Sequence, residues 1–297
     1  MVGFVLFLIA ISMVSFFITL IIYPLQFRKR IDNCGDNYIQ SSLNSKKVKF
    51  LSSEYYLAGY YYWEKNKAIS KTKIVLLVHG YGLTHRDYML EICELVRSGY
   101  CVFAYDMTGC GESEGTYLKG FAQFVLDAEA AVMYLKEHST KEIIALGHST
   151  GAYAVAALLN IQADNLDKAV IISAFDVPDK FVRVCMQKNM KIFAYLLQFW
   201  IRVFEKIQFG NYALLSGKCG IYNYHKPVLV IQGSVDDQVE IGNSLYGLKD
   251  SIVSKNAQFI LAENRGHYPT RIVGKEGTMI DQEMFRKIEM FIGGEDG

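Results

Sequence analysis

Proline is scarce in this chain, four in 297 residues, and neither sign of charge is in excess, with 31 Lys and Arg against 30 Asp and Glu. The first shortage argues against a proline-rich linker or low-complexity protein. The second, a net charge of +1, leaves no basic field for nucleic acid. No repeat of fixed period is present, so solenoids and propellers are set aside. The six cysteines, Cys34, Cys93, Cys101, Cys110, Cys185 and Cys219, form no C-x-x-C and no metal-like spacing with histidine. No metal or cofactor is implied. Cys101, in YCVFAY, reads as a small buried hydrophobe, although an even count of six permits disulfides. What is plentiful is apolar: hydrophobic residues make up 51% of the chain and aromatics 13%. That is one substantial globular core plus an extra apolar segment.

The extra segment comes first. From Val2 to Tyr23 the chain reads VGFVLFLIAISMVSFFITLIIY, with no charged side chain before Arg28. About 20 apolar residues cross a hydrocarbon core, and this run suffices. A secretory signal would carry a basic start, a shorter apolar core and a small-residue cleavage site, none of which is here. A helix apolar on every face is hard to hide inside one domain, so residues 1–27 are expected to be a transmembrane anchor. Arg28, Lys29 and Arg30 follow the span directly, which predicts a cytoplasmic C-terminal part. Residues 28–46 are polar, lack periodicity and read as a linker.

A predicted hairpin, KVKFLSSEYYLAGYYYW, follows. Strands then alternate with helices. The strand candidates are KIVLLVHG (73–80), YCVFAYD (100–106), EIIALGH (142–148), DKAVIISA (167–174), KPVLVIQG (226–233) and AQFILAE (257–263). Each is a nearly continuous apolar run, the signature of a parallel strand covered on both faces. The clearest helix sets Phe121, Phe124, Val125, Ala128, Val132 and Leu135 on one face, with Lys119, Asp127, Glu129 and Lys136 around it. The fold class is α/β: a mostly parallel, doubly wound sheet.

Ser149 lies in GHSTG, between the strand EIIAL and the helical run AYAVAALLNI. A serine on so tight a strand-to-helix turn is held exposed at the C-terminal edge of the sheet, with Gly147 and Gly151 allowing close backbone approach. The plainer reading, a serine N-cap, would want no glycine two positions before it. A serine hydroxyl needs a base, and the base needs an orienting group. Of the six histidines, His79 and His148 read as packing or loop-tying residues, and His85, His138 and His225 as surface positions. His267 differs, because AENRGHYPT follows the last strand at the same sheet edge. IQGSVDDQV, after the KPVLVI strand, offers Asp236 and Asp237 as the acid. The backbone N–H of Thr150, next after the serine, suits an oxyanion donor.

HGYG at 79–82, DMTGCGESEG at 106–115, GHSTG at 147–151 and GSVDDQV followed by the GH of 266–267 together resemble the α/β-hydrolase superfamily over residues 47–292. Within it the chain resembles the monoacylglycerol lipase and serine aminopeptidase-like branch. The resemblance implies that the acid is Asp236, the aspartate of G-x-x-D-x-x-V, with Asp237 as fallback, and that the Tyr81 N–H is the second oxyanion donor. Two positions depart from the family pattern: Thr108 stands where arginine is common, and the elbow continues Gly-Ala instead of Gly-Gly.

Between the strands ending near 174 and beginning near 226 lies an insertion longer than an ordinary connection. Its middle, MKIFAYLLQFWIRVFEKIQF, is helical and apolar on most sides. It either packs on the main domain or caps Ser149 over residues 176–224, and both can hold at once. The expected function is a membrane-anchored serine hydrolase of lipid or medium-chain esters, acting on a small-molecule substrate. Amide or peptide cleavage is a second reading, which needs an acidic patch such as Glu112 and Glu114 to hold an amine. A silent binding protein on the same fold is a third, against which the complete Ser149, Asp236 and His267 set argues.

Overall fold

The computed structural model describes residues 2–29, 31, 43–65, 73–274 and 277–294. Helix α1 spans Val2–Phe27, and the hairpin is β1 (Leu43–Ser52) and β2 (Tyr55–Glu64). Then follow β3 (Lys73–Val78), α2 (Met89–Arg97), β4 (Cys101–Tyr105), α3 (Ala122–His138), β5 (Glu142–His148), α4 (Thr150–Leu158) and β6 (Lys168–Ile172). An excursion of three helices comes next: α5 (Pro178–Met190), α6 (Phe193–Phe209) and α7 (Gly217–Asn223). The chain ends with β7 (Val228–Gly233), β8 (Ala257–Ala262), a small hairpin of β9 (Arg271–Gly274) and β10 (Gly277–Ile280), and α8 (Gln282–Gly293). The hairpin β1–β2 starts a few residues earlier than its apolar pattern suggests. Most of the predicted linker lies outside the described residues.

Eight strands form one sheet in the order β1-β2-β4-β3-β5-β6-β7-β8, with β1 and β2 antiparallel and every pair from β4 to β8 parallel. The continuous apolar runs produce this arrangement because successive side chains of β3 face opposite layers. Leu76 and Val78 pack on the side of α3 and α4, Val75 and Leu77 on the side of α2 and α8. The edge strand β1 is blunted by exposed Lys46, Lys47 and Lys49. The chain leaves β3 for β4 on one side and returns as β5 on the other. The crevice beyond the ends of β3 and β5 is therefore the switch point at which such sheets bind ligands.

Two elements differ from the sequence pattern. Asp127, expected on the polar side of α3, is fully buried. Its carboxylate accepts hydrogen bonds from Ser52 Oγ (2.6 Å), the Thr108 N–H (2.8 Å) and Gln123 Nε2 (2.9 Å), and so ties β1, α3 and the 106–115 loop together. Thr108, at the family's usual arginine position, is a partner in this cluster. Helix α1 is the second difference, because it is not a separate body. Ser15, Thr19, Tyr23 and Phe27, spaced four apart on one face, are buried against the domain. The opposite face, from Phe4 (67% exposed) to Leu25 (51% exposed), is apolar and uncovered. This reverses a soluble helix, with its hydroxyl-bearing side chains turned in and its hydrophobes turned out.

Candidate active site

The turn after β5 is built as the glycines require. Ser149 has φ 56° and ψ −123°, a strained conformation for a residue with a Cβ. A Cβ on Gly147 would lie 2.5 Å from the Gly151 carbonyl oxygen, and one on Gly151 would lie 2.3 Å from the Val78 carbonyl oxygen. Only glycine lets α4 start this close to β5 and β3. Thr150 is the first residue of α4, so its N–H has no acceptor within the helix. Ser149, Thr150 and Tyr81 line one cavity of about 400 Å³.

Asp236 and His267 are brought together from the ends of β7 and β8. His267 Nδ1 lies 2.9 Å from Asp236 Oδ2 and 3.1 Å from Oδ1, and both side chains are buried. The carboxylate is saturated by further donors: Gln232 Nε2 (2.9 Å) and the N–H groups of Gln238 and Val239 (2.9 Å each). Burial pushes the Asp236 carboxyl upward. The hydrogen bonds from His267 and the Val239 N–H outweigh it and hold the group below its ordinary value. Asp237 is exposed. Of the two candidate acids, Asp236 alone meets the histidine.

His148 ties the loops of the site, as its place inside the elbow suggested. Its Nε2 lies 2.8 Å from the His267 carbonyl oxygen, which makes Nε2 the protonated nitrogen and Nδ1 an acceptor. Nδ1 lies 2.7 Å from Tyr88 Oη, and Tyr88 Oη in turn accepts the Gly80 N–H at 3.0 Å. A chain of hydrogen bonds thus joins the HGYG loop, the elbow and the histidine loop. The ring of His148 also packs on that of His267, with centroids 4.8 Å apart. Burial pushes the His148 imidazole down to about 3, so it stays neutral. His79 ties the same loop from the other side, bonding the Gly80 carbonyl through Nδ1 and accepting the Met107 N–H through Nε2.

His138 and His225 are exposed, as expected of surface positions. His85 is not. It is fully buried, pairs with Asp106 at 2.7 Å and stacks on Tyr60. Residue spacing gave no sign of this pair, since its members lie on different loops. Glu112 pairs with Lys47 and Arg86, and Glu114 accepts the Tyr56 N–H, so neither faces Ser149. Among the described residues, the cavity wall carries no carboxylate.

The wall opposite Ser149 comes partly from the helical insertion and partly from α1, whose share the sequence did not reveal. Helix α1 supplies Ile18, Ile22, Tyr23 and Phe27, and the insertion supplies Phe181 of α5 and Leu197 and Ile201 of α6. Tyr23 Oη donates to Glu205 of α6, a buried carboxylate that also accepts the N–H groups of Phe121 (2.9 Å) and Ala122 (3.1 Å) at the start of α3. Tyr81 Oη donates to the Gln26 carbonyl, and Phe27 packs against the rings of Tyr81 and Phe121. Beyond the helix, Ile31 exchanges backbone hydrogen bonds with Gly109 and Gly111. These ties fix the end of α1 against the HGYG loop and the 106–115 loop.

Comparison with known proteins agrees with this architecture. The serine aminopeptidase S33 family matches residues 70–219. A proline iminopeptidase of Thermoplasma volcanium is 33% identical over 147 residues, 49% of this chain and 44% of that protein. A non-heme haloperoxidase of Rhodococcus erythropolis is 31% identical over 102 residues, 34% of this chain and 36% of that one. The chain thus matches less than half the length of these relatives. Among solved structures, an esterase of Pyrococcus furiosus superposes with a TM-score of 0.68 at 21% identity, covering 90% of this chain and 97% of its own. Est1E of Butyrivibrio proteoclasticus, solved with ferulic acid bound, gives 0.60 at 17% identity, covering 82% and 96%. The matched segment runs from just before β3 to the start of α7 and so contains the elbow and the HGYG loop. This chain is an α/β-hydrolase and belongs to the serine aminopeptidase S33 family.

Proposed function

We infer that the protein is a membrane-anchored serine hydrolase that cleaves carboxylic esters of lipid or medium-chain acyl type. The observation that carries this reading is a strained Ser149 opening onto an apolar cavity, with its neighbour His148 packed on the His267 that Asp236 holds. Asp236 holds His267 Nδ1 protonated, which leaves Nε2 free as the base. Ser149 Oγ attacks the ester carbonyl and its proton passes to His267 Nε2. The resulting oxyanion is received by the N–H groups of Thr150 and Tyr81. Collapse breaks the bond to the alcohol, which departs with the proton from His267. Water then releases the acid by the same route. Asp236, kept ionised, stabilises the imidazolium formed in each half. Helices α5 to α7 act as the cap over residues 176–224.

Peptide or amide cleavage is the second reading, favoured by the family's name and by the iminopeptidase relative. A free amine would want a carboxylate in the cavity, and the described walls supply none. The ester reading therefore leads.

Anchoring rests on α1, which over Ile9–Phe27 is long and apolar enough to cross a membrane by length and composition. Its uncovered apolar face, about 30 Å long at 1.5 Å per residue, matches a hydrocarbon core. The basic residues 28–30 favour a cytoplasmic hydrolase domain. The protein should stay with membranes through a carbonate wash and resist protease added outside intact cells. Release by carbonate, or digestion without lysis, would overturn the anchor or its orientation respectively.

The chemistry is tested with a fluorophosphonate probe and a series of p-nitrophenyl esters. Wild type should label and turn over esters, while Ser149→Ala should lose labelling and at least about 10³ in turnover. Labelling that persists in Ser149→Ala would refute the mechanism.

A further inference from the structure

A second hollow, of about 320 Å³, lies between α1 and the α5–α6 turn. It is lined by Phe7, Ala10, Ile11, Val14, Met190 and Phe193, and it shares Ile18 and Leu197 with the cavity at Ser149. The two hollows adjoin at Ile18 and Leu197, and together they mark out an apolar groove along α1. Its floor on the helix is Ala10, Val14 and Ile18, four residues apart on a single face. From Tyr23 beside Ser149 to Phe7 the helix advances about 24 Å. Small side chains at 10 and 14 leave the groove open, and larger ones at Phe7 and Phe193 stand at its far end.

We propose that α1 is a wall of the substrate site as well as an anchor. The acyl chain of a long-chain ester lies in this groove, its carbonyl at Ser149 and its tail toward Phe7. This rests on the reading of Ser149 as the nucleophile. The occupant is an acyl chain, not a peptide, because the outer hollow offers almost no polar surface to satisfy a backbone. Its source is also at hand. The same helix turns an apolar face outward from Phe4 to Leu25, and a bilayer is the surroundings in which such a face is stable. A chain sliding from lipid into the groove would never leave an apolar environment. The ties of Tyr23 to Glu205 and of Tyr81 to Gln26 keep the wall in register with the oxyanion donors. The α1 side of the groove, from Phe7 to Ile18, lies outside the segment 70–219 that the family shares, so part of chain-length selectivity resides there.

The test uses the full-length protein in phosphatidylcholine vesicles and p-nitrophenyl esters from C4 to C16. Val14→Trp fills the groove midway and should lower the C16 to C4 ratio of kcat/KM at least tenfold. Ala10→Trp, one turn farther out, should spare C12 and depress C16. Ile21→Trp, on the outward face, should leave the ratio as in wild type. Fluorophosphonate labelling of Ser149 counts the folded sites in each variant. If Val14→Trp labels fully and lowers C4 and C16 alike, or neither, the acyl chain does not run along α1. If wild type neither labels nor cleaves any ester, the hydrolase reading fails first and takes this inference with it.

Discussion

Asp236 and Glu205 are both buried carboxylates beside one cavity, and their environments push them in opposite directions. Burial raises each. Asp236 has a histidine as partner, with two backbone N–H groups and Gln232 besides, and ends below its ordinary value. Glu205 has neutral donors, Tyr23 Oη and the N–H groups of Phe121 and Ala122, and ends above its own. Two further carboxylates repeat the contrast. Asp106, paired with His85, is held down, whereas Asp127, surrounded by hydroxyl, amide and N–H donors, is held up. Donor number does not separate the two classes, but a partner able to carry positive charge does. A carboxylate of the first kind can stabilise a proton arriving on imidazole. One of the second kind can only hold elements together.

The largest effect that would break this comparison is at Asp236. Asp236→Asn should lower kcat for ester hydrolysis by about 10⁴, because an amide cannot hold the His267 tautomer or balance the imidazolium. Asp237→Asn should remain close to wild type, since Asp237 is exposed. Similar losses in the two variants, measured at equal probe-active site concentration, would show that the carboxylate beside His267 is not the acid.

Glu205→Ala should act on the other member of the pair and on stability. It strips a buried hydroxyl and two N–H groups of their acceptor, at a cost of about 3 kcal/mol by thermal or urea unfolding. It also unties α1 from α3 and α6. Turnover of long-chain esters should therefore fall more than that of C4 esters, while probe labelling of Ser149 persists. If labelling is lost under conditions in which the variant is still folded, Glu205 belongs to the reacting centre and the distinction fails.

The sequence reveals the two carboxylates unequally. Asp236 follows an apolar strand run, in a loop whose counterpart after the next strand carries His267. Strand ends in a parallel sheet meet at one edge, so order along the chain brought His267 to the loop of Asp236 and Asp237, and the choice of Asp236 came from the resemblance to the G-x-x-D-x-x-V pattern. Ser149 was legible for the same reason, with Gly147 and Gly151 marking the close approach of α4. Glu205 sits mid-helix among hydrophobes, and its partners come from α1 and the start of α3, 182 and 84 residues away. No periodicity in α6 encodes that meeting. Tyr88 shares this property, being a polar residue whose partners lie on other loops. The hairpin β9–β10 was missed because its strands are four residues each, too short for an alternation to declare itself. For α1, composition identified an apolar helix but not the packed face. Ser15 and Thr19 are small interruptions in a hydrophobic run, and only the fold shows that they point inward.

The smallest effect concerns His148, a neutral residue packed against His267. Its imidazole, lowered from 6.5 to about 3 by burial, binds a proton in the unfolded chain before it does so in the native one. Between those values the unfolded state holds more protons, so stability falls as pH falls. The contribution is complete above pH 6.5 and declines by about 1.4 kcal/mol per pH unit below it. Asp236 adds to this only at lower pH, because its depressed value lies beneath 3.8. Glu205 and Asp127, raised above their ordinary values, act in the opposite sense over the lower part of the window. The informative quantity is therefore a difference between proteins. Wild type and His148→Gln, whose amide can still donate to the His267 carbonyl, should be compared by thermal unfolding from pH 7 to pH 5. The wild-type midpoint should fall more steeply, by about 3 °C per pH unit relative to the variant. Parallel curves would mean that His148 already carries a proton in the folded protein. The Tyr88–His148–His267 chain would then run in the other direction, with His148 donating from both nitrogens.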